Sequence, residues 1–135
     1  MKTGRLLAIE VMDSDPVLEW AAGEAMIYVE RMTGRRPRRL AAGERVAKGV
    51  GLIRMGRLDS FPEWRGAPDA RREDLFADGI AVQSGPGGAI LAGVNSRSVG
   101  YALYRWLEEL GCRWLRPGPM GERVPRLADP LARPV

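Results

Sequence analysis

The segment from residue 100 to residue 119 constrains the fold most, because it combines a helix, the signal that ends it and a short strand. Gly111 supplies the left-handed residue that commonly ends a helix. Residues 112–115 then predict a short strand, and Pro117 prevents further helix. Apolar residues recur before Gly111 at intervals of three and four, which places them on one helical face: Val99, Leu103, Trp106, Leu107 and Leu110.

The amino-terminal part of the chain predicts a strand followed by a long helix. Residues 5–11 are mostly apolar and predict the strand. Asp15 follows as a helix N-cap, and Pro16 suits the first helical position. Gly34 ends the helix. Its core-facing residues keep helical spacing: Leu18, Ala21, Ala22, Ala25, Tyr28, Val29 and Met32.

The middle of the chain predicts one more strand and a hairpin. Residues 50–55 predict the strand, and residues 80–83 and 89–94 flank a glycine-rich turn typical of a hairpin. The intervening residues 56–77 predict a loop in which Phe61 and Trp64 are exposed. This order of elements predicts an α+β fold, a two-layer sandwich of a mixed β-sheet with helices packed on one face. We expect a single domain over residues 1–135, with its core at about 5–126.

The composition of the chain bears on the cellular compartment in which such a domain is expected. Hydrophobic residues make up 45% of the chain and charged residues 28%, which is ordinary for a soluble globular protein. No apolar run approaches the length of a membrane span, and no signal peptide is evident. The single cysteine, Cys112, cannot form an intrachain disulfide. We therefore expect a cytoplasmic protein without a membrane partner.

The basic charge of the chain raises the question of nucleic-acid binding. The net charge is +4, and Arg35, Arg36, Arg38 and Arg39 form the densest basic patch. The patch has neither interleaved aromatic residues nor a recognised binding motif. It therefore favours a solvated loop after the first helix, and no nucleic-acid partner is predicted. A small nucleic-acid binder that uses this patch is the alternative.

The chain lacks the usual catalytic groups. It contains no histidine, which excludes a histidine general base, histidine metal ligands and serine–histidine or cysteine–histidine pairs. Paired carboxylates could still support glycoside hydrolysis. However, Glu108 and Glu109 fall on the polar helix face, and Asp78 is typical of a turn. No catalytic residue, metal site or cofactor is therefore predicted.

Two sets of residues are candidates for binding. The hydroxyl of Ser96 and the guanidinium of Arg97 lie at the start of the last helix, where they could contact an anion or a sugar carboxylate. The alternative there is plain capping by Asn95 or Ser96. Phe61 and Trp64 could add aromatic contacts to a ligand. We expect Trp106 and Trp114 to belong to the core or to a domain interface, and the predicted interface residues are Trp64, Trp114 and Leu115.

The carboxyl-terminal motif resembles that of a known family. Residues 101–114, followed by Arg116-Pro117-Gly118 and Val124-Pro125, resemble the closing motif of the non-catalytic N-terminal domain of the alpha-glucuronidase family of glycoside hydrolases. That domain has a counterpart in beta-N-acetylhexosaminidases. Earlier stretches fit the same pattern, so the resemblance covers roughly residues 5–126. The chain departs from the pattern at Ser98, where the family usually has glycine.

The resemblance implies an accessory role. The domain would pack against a downstream (β/α)8 catalytic barrel, in cis or as a partner chain, and the barrel would hold the catalytic acids. Apolar or aromatic surface on the docking face would make the free domain either self-associate as a homo-oligomer or need a partner. The alternative is a stand-alone carbohydrate or anionic-ligand binding module that uses Phe61, Trp64, Ser96 and Arg97, with a glycan as its partner.

Overall fold

The computed structural model describes residues 4–61 and 79–132. Its principal elements follow the predicted order, with additional short strands. They are β1 (Leu7–Val11), α1 (Pro16–Thr33), β2 (Arg38–Ala41), β3 (Gly51–Arg57), β4 (Ile80–Gly85), β5 (Gly88–Gly93), α2 (Ser96–Leu110), β6 (Arg113–Trp114) and β7 (Glu122–Arg123).

The first five strands form one mixed sheet in the order β2-β1-β3-β5-β4. Strands β1, β2, β3 and β5 are parallel, and β4 pairs antiparallel with β5 as the predicted hairpin. Strands β6 and β7 form a separate antiparallel pair. Both helices pack against the five-stranded sheet and against each other. The predicted α+β two-layer fold is confirmed.

The main core lies between the sheet and the helices. Ile9, Ile53 and Leu91 are fully buried on the central strands, and Trp106 is fully buried on α2. The indole N–H of Trp106 donates to the Ser84 hydroxyl at 3.1 Å, so the one polar group of this large side chain is satisfied. Trp106 is therefore a core residue, as its spacing predicts.

The helix ends also follow the predictions. Asp15 caps α1, since its Oδ1 accepts from the backbone N–H of Leu18 at 2.9 Å. Asn95 caps α2, accepting from the N–H of Ser98 at 2.8 Å. Gly34 and Gly111 end the two helices with φ of 79° and 111°, in the left-handed region that favours glycine.

The basic patch departs from its prediction. Residues 38–41 form β2, which pairs in parallel with β1, rather than a solvated loop. The strand is short and buries only one side chain deeply, that of Leu40, so its pattern is weak in the sequence. Arg39 forms an ion pair with Glu19 at 2.8 Å, and Arg38 forms one with Glu44 at 3.0 Å. These arginines therefore take part in contacts within the fold.

The carboxyl-terminal segment is part of the same core. Leu131 is fully buried in the main cluster, so the core extends past the predicted limit near residue 126. The backbone N–H of Leu127 donates to the carbonyl of Met32 at 2.9 Å. Within residues 4–61 and 79–132, no helix has the length and apolar character needed to cross a membrane.

Candidate functional site

The predicted ligand residue Ser96 serves the fold. Its hydroxyl donates to Oδ2 of Asp15 at 2.6 Å and so joins the N-termini of α1 and α2. This hydrogen bond is the main cause of the lowered pKa of the Asp15 carboxyl. Arg97 is exposed in the first turn of α2 and is itself engaged in an interaction. The capping alternative is confirmed, with Asn95 as the N-cap.

Phe61 corrects another prediction. The residue is fully buried, not exposed, and belongs to an apolar cluster on the sheet face opposite the helices. The Arg54 guanidinium lies 5.5 Å from the centre of its ring. Phe61 is buried because the turn after β3 folds its ring onto Ile90 and Ala92 of β5. Trp64, which was expected beside it, lies outside the described residues.

Trp114 is half-buried in an aromatic cluster with Tyr28 and Tyr104. The three rings meet edge to face, with centroids 5.1 to 6.2 Å apart. The indole N–H of Trp114 donates to the Tyr28 hydroxyl at 3.1 Å, and that hydroxyl donates to Glu122 at 3.2 Å. These contacts fix the β6–β7 pair to α1. Leu115, the other predicted interface residue, is 68% exposed.

A different apolar surface lies on the outer side of the helix layer. Four large apolar side chains there remain about half exposed, and we call this surface the helix-layer face. Its members are Val17 (45% exposed), Trp20 (55%), Ile27 (54%) and Tyr101 (49%). Exposed apolar side chains that cluster on one surface mark a candidate interaction site.

The two helices meet beneath this face. A Cβ placed at Gly100 would lie 3.5 Å from Cζ3 of Trp20, so the indole covers the α2 backbone at a residue without a side chain. Tyr101 follows Gly100 on α2. Val17 lies one turn before Trp20 on α1 and Ile27 two turns after it, on the same helical face. The face therefore spans both helices.

The helix-layer face was not predicted from the sequence because only the apolar residues of α1 that face the core were considered. Val17, Trp20 and Ile27 repeat at intervals of three and seven on the opposite side. Apolar residues outside the core stripe of an amphipathic helix are unusual, since that side normally carries polar residues. That signal is present in the sequence.

Two carboxylates on or next to β1 form hydrogen bonds within the fold. Glu10 is buried on β1 and accepts from the N–H of Gly43 at 2.7 Å. Asp13, after β1, accepts from the Ser60 hydroxyl at 2.7 Å. An open concavity of about 410 Å³ lies at the ends of β1 and β2, and its Arg39 and Glu19 side chains are paired with each other. No group of three or more metal-ligating side chains occurs within the described ranges.

Comparison with known proteins adds no relative. Neither family models nor curated proteins match this chain. The geometry of the helix-layer face therefore carries the functional argument.

Proposed function

We propose that this chain is a non-catalytic accessory domain of a carbohydrate-active enzyme of the alpha-glucuronidase-like type. In this proposal the helix-layer face docks on a (β/α)8 catalytic domain, in cis or as a partner chain. The single observation that carries the docking role is the half-exposed apolar surface formed by Val17, Trp20, Ile27 and Tyr101. The choice of a catalytic barrel as the partner comes from the resemblance of the carboxyl-terminal motif.

The apolar area on this face is large enough to contribute to docking. A tryptophan side chain buries roughly 150–250 Å² when covered. Since 55% of Trp20 is exposed, covering it would contribute about 2–3 kcal/mol at 25 cal/mol per Å². Aromatic anchors of this kind dominate binding energy at protein interfaces. Trp20 is therefore the expected centre of the interface.

The surroundings of the face suit a polar rim. Arg97 and Arg105 are exposed on α2, and Arg105 forms an ion pair with Glu109 at 3.2 Å. Glu24 lies between the helices and accepts from the Tyr104 hydroxyl at 3.0 Å. An apolar centre with charges of both signs around it is the usual composition of a protein interface.

The stand-alone carbohydrate module receives less support from the geometry. Phe61 is fully buried, and the Ser96 hydroxyl is committed to Asp15. A sugar site built on these residues would need the fold to release both. The accessory role requires no such change, since its contact residues are already exposed.

Binding in trans tests the proposal. The chain would be mixed with the catalytic barrel of an alpha-glucuronidase purified without its own N-terminal domain, and binding measured by calorimetry. We expect binding that Trp20→Ser weakens at least tenfold. Leu115→Ser is the matched control, because Leu115 is exposed on a different part of the molecule. Absence of binding, or equal affinity for the Trp20→Ser variant, would contradict the docking role.

A further inference from the structure

The two edges of the five-stranded sheet differ in how they are protected. Strand β2 forms one edge and β4 the other. Strand β4 carries six uncharged residues, Ile-Ala-Val-Gln-Ser-Gly, and no proline. Uncharged, unprotected edge strands readily pair with further strands, and native proteins usually block them.

The β2 edge is blocked in the usual ways. Pro37 precedes the strand, and Arg38 and Arg39 place charge on it. The Glu44 carboxylate accepts from the backbone N–H of Ala41 at 3.2 Å, and the N–H of Glu44 donates to the Ala41 carbonyl at 3.1 Å. The turn after β2 therefore occupies part of its outer edge.

The pairing of β4 with β5 shows which of its backbone groups face outward. The two-residue turn at Pro86 and Gly87 makes Gly85 and Gly88 a hydrogen-bonded pair. At the other end, the N–H of Val94 donates to the Gly79 carbonyl at 3.0 Å. Hydrogen-bonded pairs alternate along an antiparallel ladder. The odd-numbered residues of β4 therefore face β5, and the backbone groups of Ile80, Val82 and Ser84 face outward.

Nothing within the described ranges occupies this outward edge. No backbone group of residues 4–61 or 79–132 forms a hydrogen bond with the outward N–H and C=O groups of Ile80, Val82 and Ser84. Neither is any charged side chain present on the strand to keep another strand away. The β4 edge is thus a preformed template for strand addition.

We propose that β4 pairs antiparallel with β4 of a second copy of this chain. In the register centred on Val82, Val82 faces Val82 of the second copy, and Ile80 faces Ser84 of the second copy. The three outward residues are evenly spaced around Val82, so every outward N–H and C=O finds a partner under two-fold symmetry. No like charges meet across the pair, because β4 has none.

A second copy suits this edge better than an unrelated strand because the edge is complementary to itself. The resulting ten-stranded sheet leaves β2, the blocked edge, at both ends. A six-residue strand pair is small against the roughly 800 Å² per partner of stable interfaces. We therefore expect a reversible dimer that forms at micromolar concentrations.

Proline at Val82 provides the test. Of the backbone hydrogen-bonding groups of β4, Val82→Pro removes only an outward N–H, so the β4–β5 ladder keeps its bonds and the monomer should fold. Sedimentation equilibrium between about 5 and 500 µM should show a parent dimer whose dissociation constant rises at least tenfold in Val82→Pro. Val82→Ala keeps the N–H and should still dimerise. Circular dichroism and urea unfolding would verify that both variants are folded.

A cross-link tests the register even if the proline variant fails to fold. In the proposed register Ala81 lies opposite Gln83 of the second copy, as a non-hydrogen-bonded pair with Cα atoms about 4.5 Å apart. That distance permits a disulfide, so the double variant Ala81→Cys, Gln83→Cys should form covalent dimers on oxidation, and Ala81→Cys alone should not.

Three results would overturn the proposal. The parent could stay monomeric, a folded Val82→Pro variant could still dimerise, or the dimer could be lost in Trp20→Ser. The last outcome would move the contact to the helix-layer face.

Discussion

The hydroxyl of Ser96 donates to Oδ2 of Asp15 at 2.6 Å, and Oδ1 of the same carboxylate accepts from the backbone N–H of Leu18. One carboxylate therefore caps α1 and holds the start of α2. The two residues are far apart in the chain, so this contact joins the βα unit at the amino terminus to the hairpin and helix that follow.

Replacing Asp15 by alanine should destabilise the domain by about 1–2 kcal/mol, because both an N-cap and a bond between helices are lost. Asp15→Asn is the matched control, since asparagine is an equally good N-cap. Urea unfolding of the single variants and of the Asp15→Ala, Ser96→Ala double variant measures the coupling between the two residues. Strictly additive losses would show that the hydrogen bond contributes nothing to stability.

The same carboxylate predicts a dependence on pH. The pKa of Asp15 is lowered, chiefly by the hydrogen bond from Ser96. A lowered pKa in the folded state stabilises the fold above the unfolded pKa, near 3.9, and that contribution is lost as the pH falls toward the folded value. The stability difference between the parent and Asp15→Asn should therefore shrink below about pH 4. A difference that stays constant from pH 7 to pH 2 would contradict the assignment.

Trp106→Ala should destabilise the domain by about 3–5 kcal/mol, since Trp106 is fully buried between α2 and the sheet. Trp20→Ala is the matched control on α1, where the side chain is about half exposed, and it should cost much less. Denaturant unfolding followed by circular dichroism measures both. Similar losses for the two variants would mean that Trp20 also supports the fold.

The sequence predicts the regular elements because their signals are local. Helix α1 has its cap, its proline and its closing glycine within the segment itself, and the β4–β5 hairpin has a glycine-rich turn. Strand β2 was missed for two reasons. Its pairing partner, β1, is distant in the chain, and only one of its side chains is deeply buried. Local pattern gives little information on such a strand.

The candidate site was harder to predict than the fold. Phe61 is buried through contact with Ile90 and Ala92, which a loop-like sequence does not reveal. Ser98 departs from the resembled motif, yet it is fully buried. Gly93 leaves space for it, because a Cβ placed at Gly93 would lie only 2.4 Å from the Cβ of Ser98. The close approach of strand and helix is thus achieved from the strand side.

Cys112 should be inert to thiol reagents in the folded protein. Its side chain is fully buried, and burial raises the pKa of its thiol, so little thiolate forms at neutral pH. Reaction with an aromatic disulfide reagent should be at least a hundredfold slower than in urea-unfolded protein. Rapid stoichiometric reaction under native conditions would show that the α2–β6 junction opens readily.

Trp114→Ser should destabilise the domain by about 1–3 kcal/mol, because it removes a ring from the aromatic cluster and a hydrogen bond to Tyr28. Leu115→Ser, next in the chain but largely exposed, should stay within about 0.5 kcal/mol of the parent. Urea unfolding compares them. Equal stability of Trp114→Ser and the parent would return Trp114 to the list of docking residues.

Glu122 links that aromatic cluster to α1 by accepting from Arg31 and from the Tyr28 hydroxyl. The hydrogen bond from Arg31 is the main cause of the lowered pKa of the Glu122 carboxyl. The interaction therefore stabilises the fold above the unfolded pKa of a glutamate, near 4.3, and is lost as the pH falls below it. Glu122→Gln removes the charge at every pH, so its stability deficit relative to the parent should be present at pH 7 and should diminish by pH 3.

Hydrogen exchange provides a second measurement. The N–H of Leu115 donates to the Gly121 carbonyl at 2.8 Å. Its exchange in the parent, corrected for the intrinsic rate, should become faster as the pH falls over the same interval. A Glu122→Gln deficit that is independent of pH would mean that packing of the side chain, and not its charge, holds β6 and β7 to the helix.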